Sequence, residues 1–158
     1  MPRAPPIAPL LVGIALVLVV AMVAFYPRQS LSLSARTDRI TYASGEPVTV
    51  SVVLRVGGNT PVSITTGCIP YELEFVVVTD SGEAVYHSLT TKLTLNCLRG
   101  GVPATLQPGW SESRSFTWGQ VDDLGRPIAL GATYVILPAL GGTPSVEALT
   151  SGTEISVQ

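Results

Sequence analysis

Five apolar side chains at Val48, Val50, Val52, Leu54 and Val56 occupy alternate positions, with Thr49, Ser51 and Arg55 among the residues between them. A period of two sends such a set to one face of an extended strand, and no helical register gathers it on one side. A chain with this segment must bury one face of a sheet. The same rhythm recurs in shorter runs. Leu31 and Leu33 begin one strand, Val62 and Ile64 another, and Leu73, Phe75 and Val77 a third that runs into a hairpin-type turn at Asp80, Ser81 and Gly82. Val85 and Tyr86 return from that turn, Leu93 and Leu95 lead to Cys97, and Phe116 and Trp118 follow the turn at Leu106, Pro108 and Gly109. Tyr134, Val135, Ile136 and Leu137 read as a buried strand with Pro138 near its exit, and Val146, Ala148, Ile155 and Val157 supply the last strand or pair.

No stretch after Tyr26 keeps a period of 3.6, so the crossover helices of a βαβ fold are missing. The 13 prolines and 15 glycines are scattered as punctuation between short elements. The expected fold is all-β, with about seven to nine strands in two packed antiparallel sheets over residues 31–158.

The N-terminal part is different in kind. After a short tail at 1–6, residues 7–26 are apolar, and the 17 residues from Leu10 to Tyr26 carry no charge. At about 1.5 Å per residue such a run covers roughly 25–30 Å as a helix, close to the hydrocarbon core of a bilayer. Pro9 fits the first helical turn and Tyr26 the membrane interface. Arg3 ahead of the run also allows a cleaved signal peptide, but no clean small-x-small triplet follows around Ala21 to Ala24. A retained signal anchor is the expectation, with residues 27–30 as connector and the C-terminal domain outside the cytoplasm; secretion after cleavage is the alternative. The positive-inside count runs against this orientation, because Arg28, Arg36 and Arg39 follow the run while Arg3 precedes it. Long C-terminal domains translocate regardless of such counts.

Without Arg3 and Arg28, seven of the nine basic residues stand against eleven acidic ones, a formal charge of −4 for residues 30–158. No basic stripe is present to neutralise phosphates, which excludes nucleic acid as an expected partner. An even pair of cysteines, Cys68 and Cys97, behind a targeting segment reads as one disulfide in an oxidising compartment. Closing a loop of about 30 residues would contribute about 3–4 kcal/mol. Two buried free thiols are the other reading. Neither cysteine lies in a CxxC or CxxH pattern, so zinc and thioredoxin-like chemistry are disfavoured.

The catalytic inventory is poor. His87 is the single histidine, on a strand without an acidic neighbour in sequence. Ser88 and Lys92 do not form an S-x-x-K pair, and no serine lies in G-x-S-x-G. Glu72 and Glu74 share a strand face and read as solvated residues opposite Leu73 and Phe75. Asp122 and Asp123 lack the further oxygen-rich spacing of a calcium loop. No enzyme activity, cofactor, metal or small-molecule substrate is expected.

Four groups of residues carry a family resemblance. They are Tyr42 with Gly45, Glu46, Pro47 and Val48, followed by Asn59; Glu74 and Phe75 leading to Asp80, Ser81, Gly82, Val85, Tyr86 and Ser88; Leu106, Pro108 and Gly109; and Trp118, Gln120, Asp122, Gly125, Pro127, Ile128, Gly131 and Tyr134. Together, over Tyr42 to Val157, they resemble the intracellular proteinase inhibitor (BsuPI-like) domain family. Tyr86 stands where that family often has tryptophan, and Glu74 where it often has aspartate. The resemblance implies an immunoglobulin-like sandwich in which Trp118, Gln120, Asp122, Gly125, Gly131 and Tyr134 are framework that fixes an end loop and a corner.

Two functions are open on this reading. The first is a membrane-anchored, non-catalytic module that binds a protein partner of unknown identity. The second is an inhibitor of a subtilisin-like serine protease. For the inhibitor, a loop anchored at Cys97 would present Leu98 or Arg99 to the protease, with preorganisation limiting the entropy lost on docking.

Overall fold

The computed structural model describes residues 26–66, 72–88, 102–141, 143–144 and 147–158. These residues are all-β. In chain order the strands are β1 (Gln29–Thr37), β2 (Thr41–Tyr42), β3 (Val48–Gly58), β4 (Val62–Thr66), β5 (Glu72–Thr79), β6 (Ala84–His87), β7 (Val102–Leu106), β8 (Ser111–Trp118), β9 (Thr133–Gly141), β10 (Thr143–Pro144), β11 (Ala148–Ser151) and β12 (Thr153–Val157).

They form a four-stranded sheet of order β11-β1-β3-β8, a five-stranded sheet of order β2-β12-β9-β5-β6, and a smaller sheet of order β10-β4-β7. The two larger sheets share one core, as β-sandwich layers do. Leu31, Leu33 and Ala35 of β1 and all five alternating residues of β3 face Leu73, Phe75 and Val77 of β5, Tyr134 and Ile136 of β9, and Ile155 and Val157 of β12. Aromatic rings bridge the layers. Phe75 lies with its centroid 5.4 Å from Phe116 and 5.7 Å from Tyr86, and Trp118 lies 5.9 Å from Tyr86 and 6.4 Å from Tyr134. Tilted pairs of this kind contribute about 0.5–1.5 kcal/mol each beyond their buried area.

Several details differ from the sequence expectation. Twelve strands appear among the described residues because pairs as short as β2 and β10 add to the main ones, and β4 and β7 close a third sheet. Two edge pairs, β1 with β11 and β12 with β2, are parallel. The first arises because the chain leaves one sheet at Ser151 and enters the other at Thr153. Gly152 makes that crossing, and a Cβ there would lie 2.6 Å from the Ile136 carbonyl oxygen. Strand β1 begins at Gln29, inside the expected connector.

Strand β9 is half-buried rather than fully buried. Tyr134 and Ile136 face the core, whereas Leu137 is 38% exposed. It continues past Pro138, which lies opposite Phe75. From Leu137 onward β9 pairs with β5 but has no described partner on the β12 side, so a missing N–H pointing that way leaves no bond unmade.

The strand of Leu93 and Leu95, Val146, and all of 7–26 except Tyr26 lie outside the described residues. Tyr26 itself sits in a bend, 70% exposed, and its carbonyl accepts a bond from Asn59 Nδ2 at 3.2 Å. Among the described residues no helix is long and apolar enough to cross a membrane.

The registers define two ends. Gln29 pairs with Gly58, and Thr37 with Val50. Val48 pairs with Trp118, and Thr133 with Ser156. The segments 38–47 and 119–132 and the C-terminus therefore gather at one end, and Tyr26 lies at the other.

Candidate functional site

The end away from Tyr26 is built by side chains that hold turns in place. Tyr42, buried at the close of β2, donates its hydroxyl to Asp38 Oδ1 at 2.7 Å and accepts the Arg39 N–H at 2.9 Å. The Tyr42 bond, ahead of a backbone bond from Thr49, holds the Asp38 carboxyl below the usual carboxylate range. Arg39 reaches Glu46 at 2.6 Å and lies over the Tyr42 ring, 5.0 Å from its centroid. Glu46 also accepts the Ala43 N–H at 3.0 Å, and this bond leads the causes that lower its carboxyl.

Gln120 ties the second loop to the first. It is 3% exposed, its Oε1 accepts the Gly45 N–H at 2.9 Å, and its Nε2 donates to the carbonyls of Ala43 and Glu46, each at 2.9 Å. Its backbone is left-handed at φ 56°. Three bonds that satisfy buried polar groups offset that backbone cost.

The rest of the 119–132 loop is fixed from within. Trp118 Nε1 donates to the Val121 carbonyl at 2.8 Å. Asp122 Oδ1 accepts the N–H groups of Leu124 and Arg126, each at 2.9 Å, while its Oδ2 meets Arg126 Nε at 2.7 Å. These bonds from Arg126 hold the Asp122 carboxyl low. Gly125 and Gly131 take φ of 76° and 71°, and Tyr134 donates to the Ala129 carbonyl at 3.2 Å. Trp118, Gln120, Asp122, Gly125, Gly131 and Tyr134 thus lie together in and around one loop, each in contact with backbone. Three large apolar side chains protrude here, Ile40 at 70%, Leu124 at 75% and Leu130 at 62% exposure, alongside the exposed Arg126.

One pairing and one burial were not legible in the sequence. His87 and Asp123 meet at 2.7 Å between Nδ1 and Oδ2, and Asp123 Oδ1 also accepts the His87 N–H at 2.8 Å. With the bond from Asp123 N–H to the Val85 carbonyl at 3.1 Å, this segment lies along the edge of β6. The His87 contact holds the Asp123 carboxyl low. His87 has an acidic partner in space, one that arrives from 36 residues away in the chain. The neighbouring Ser88 hydroxyl is committed to the Phe75 N–H at 2.7 Å.

The second is the Glu72 and Glu74 pair, where the expectation of solvated side chains is corrected. Glu72 is half-buried and Glu74 only 4% exposed, with Oε2 lacking a hydrogen-bond partner among the described residues. Burial, and after it the charge of Glu72, pushes the Glu74 carboxyl up to about 7. Leu73, Glu74 and Phe75 are buried in succession, so at this end of β5 both faces of the strand are covered.

Among the described residues no group of three or more His, Cys, Asp or Glu is placed to hold a metal ion. Cys68, Cys97, Leu98 and Arg99, and with them the expected disulfide and protease-contact loop, lie outside the described residues.

No family model matches the chain, and no curated protein matches it. Solved structures similar to it include the CARDB domain of PF1109 from Pyrococcus furiosus, described in complex with di-metal ions. That likeness has 11% identity and TM-score 0.47, covering 84% of this chain and 96% of that one. The sporulation control protein Spo0M from Bacillus subtilis is similar at 20% identity and TM-score 0.46, with 82% of this chain and 49% of that one covered. A β-glucosidase, EmGH1 from Erythrobacter marinus, is similar at 16% identity and TM-score 0.46 over 82% of this chain and 16% of that one.

Proposed function

We propose that the chain is a membrane-anchored, extracytoplasmic, non-catalytic binding module: an immunoglobulin-like sandwich of the BsuPI-like type, tethered by a helix at 7–26. The observation that carries this reading is the separation of the two ends. Tyr26, which follows the apolar run, is at one end, and the braced loops with Ile40, Leu124 and Leu130 exposed are at the other. A tether on the first side turns the second toward a protein partner, with the loop geometry fixed in advance by Gln120 and Asp122.

The test uses the full chain in its own membrane with a C-terminal tag. Protease added to intact cells removes the tag, while the chain fractionates with membranes and keeps an N-terminus ahead of Leu10. A tag protected in intact cells overturns the topology, and a soluble mature chain replaces the anchor by a cleaved signal. The inhibitor reading is separated in the same preparation by titrating a subtilisin-like protease with the detergent-solubilised chain. Stoichiometric loss of protease activity favours inhibition, and simple digestion or resistance favours the module.

A further inference from the structure

On β1, β3 and β8 the outward face of the β11-β1-β3-β8 sheet carries hydroxyls and arginines, with Glu112 on the opposite face, while Leu149 of β11 lies exposed at its edge. Cross-strand rows run Ser32, Arg55, Ser111; Ser34, Val53, Ser113; and Arg36, Ser51, Ser115, with Thr49 opposite Thr117 beyond them. These positions alternate with the buried ones, so they share a face. Ser51 and Ser113 lie 3.4 Å apart between hydroxyls.

The charges are segregated. Arg39, Arg114 and Arg126 each meet a carboxylate, whereas Arg36 and Arg55 meet none among the described residues. These two stand unneutralised on the face of a domain that is acidic as a whole. At the Tyr26 end the face deepens into a groove of about 490 Å³ lined by Ser30, Ser32, Arg55, Trp110 and Ser111, with open space over Gly109.

We propose that this face binds an acidic polysaccharide whose sugars carry carboxylates, seated along the serine rows with one uronate in the groove. Each component of the surface fits that chemistry. A guanidinium takes a carboxylate through two parallel N–H bonds. Serine and threonine hydroxyls both donate and accept, as sugar hydroxyls do. The indole of Trp110 offers an apolar ring to the C–H face of a sugar. Arg55 and Arg36 are about 14 Å apart, four residues along a strand and one strand across, so an extended oligosaccharide engages both. A neutral glycan would leave two cations without purpose. A phosphate polymer such as nucleic acid needs a denser run of cations than two on an acidic domain. The proposal depends neither on the tether nor on the far-end loops.

The experiment uses the full chain in detergent, with polygalacturonate and alginate as acidic probes and fully methyl-esterified polygalacturonate as the neutral control on the same backbone. Retardation in affinity electrophoresis and tryptophan emission are read together. Trp118 is buried in the core and supplies a constant background, so the change on binding belongs to Trp110. The expected result is binding of an acidic polymer, none of the methyl ester, a loss of about tenfold or more in Arg55→Gln and in Arg36→Gln, and no emission change in Trp110→Phe. Equal binding of acid and ester, no binding of either acidic polymer, or arginine variants that bind like the parent would each overturn the proposal. Both arginines are exposed, so their replacement leaves the core untouched.

Discussion

Gln120 and Gly45, 75 residues apart in the chain, are joined by a 2.9 Å bond from the glycine N–H to the glutamine side chain. The glutamine achieves this with its backbone in the left-handed region, at φ 56°. Two loops that the sequence separates by six strands, β3 to β8, are thereby held as one unit.

Gln120→Ala takes away that bond from the Gly45 N–H and the two donated to Ala43 and Glu46, while the Ala43 carbonyl keeps the Glu46 N–H. The expected cost is about 1–3 kcal/mol. Gln120→Gly loses the same bonds but relieves the left-handed backbone, and is less destabilised than the alanine variant by about 1 kcal/mol. Thermal unfolding of the two variants side by side checks the order.

Glu74 makes stability depend on pH. Its folded carboxyl is raised to about 7 from an ordinary value of 4.5, so between those values the folded state binds more protons than the unfolded one. Stability from this group is full below pH 4.5 and is lost as pH rises through 7. Melting curves from pH 5 to 8 will show Glu74→Gln gaining most over the parent at the alkaline end, with a flatter profile between. A parallel shift at every pH would contradict this.

Asp123→Ala uncovers the edge of β6. It removes the acceptor for the His87 N–H as well as the imidazole contact, whereas His87→Ala removes only the second. Hydrogen exchange at the amide of residue 87 will therefore accelerate strongly in Asp123→Ala and little in His87→Ala. Self-association of Asp123→Ala at high concentration is also expected, because an unprotected edge pairs readily.

Gly58→Ala tests the entry to the sandwich. Its φ is +80°, and an added Cβ would collide with the Arg28 carbonyl, whereas Gly82 at φ +86° has open space around it. Gly82→Ala should cost about 1–2 kcal/mol from the backbone alone. Gly58→Ala should cost clearly more, because the colliding atom is backbone and its movement disturbs the first pair of β1. Denaturant midpoints of both variants decide it.

The alternation of Val48 to Val56 is visible without coordinates because one burial direction rules the whole of β3. Strand β5 resisted the same reading at Glu74. Period two says which residues share a face, but not whether that face meets solvent: the outward residues of β3 are exposed at Thr49 and Arg55, whereas Glu74 on β5 is covered. The parallel pairing of β11 with β1 was illegible for another reason. It depends on a sheet change at Gly152, and glycine's spacing in the sequence does not distinguish a crossing from an ordinary turn. Gln120 was visible as part of a loop motif, yet its bonds reach a segment 74–77 residues away, beyond any local pattern. His87 and Asp123 are separated in the same way.

Strand β1 is bonded along nine positions to β3 and along four more to β11 on its opposite flank. A mechanical pull on the chain ahead of Tyr26, resisted at the far loops, runs parallel to this strand. The ladders on either side are then loaded in shear, many bonds at once, instead of being peeled apart in succession. The domain is built to resist force along the direction in which a leash would draw it.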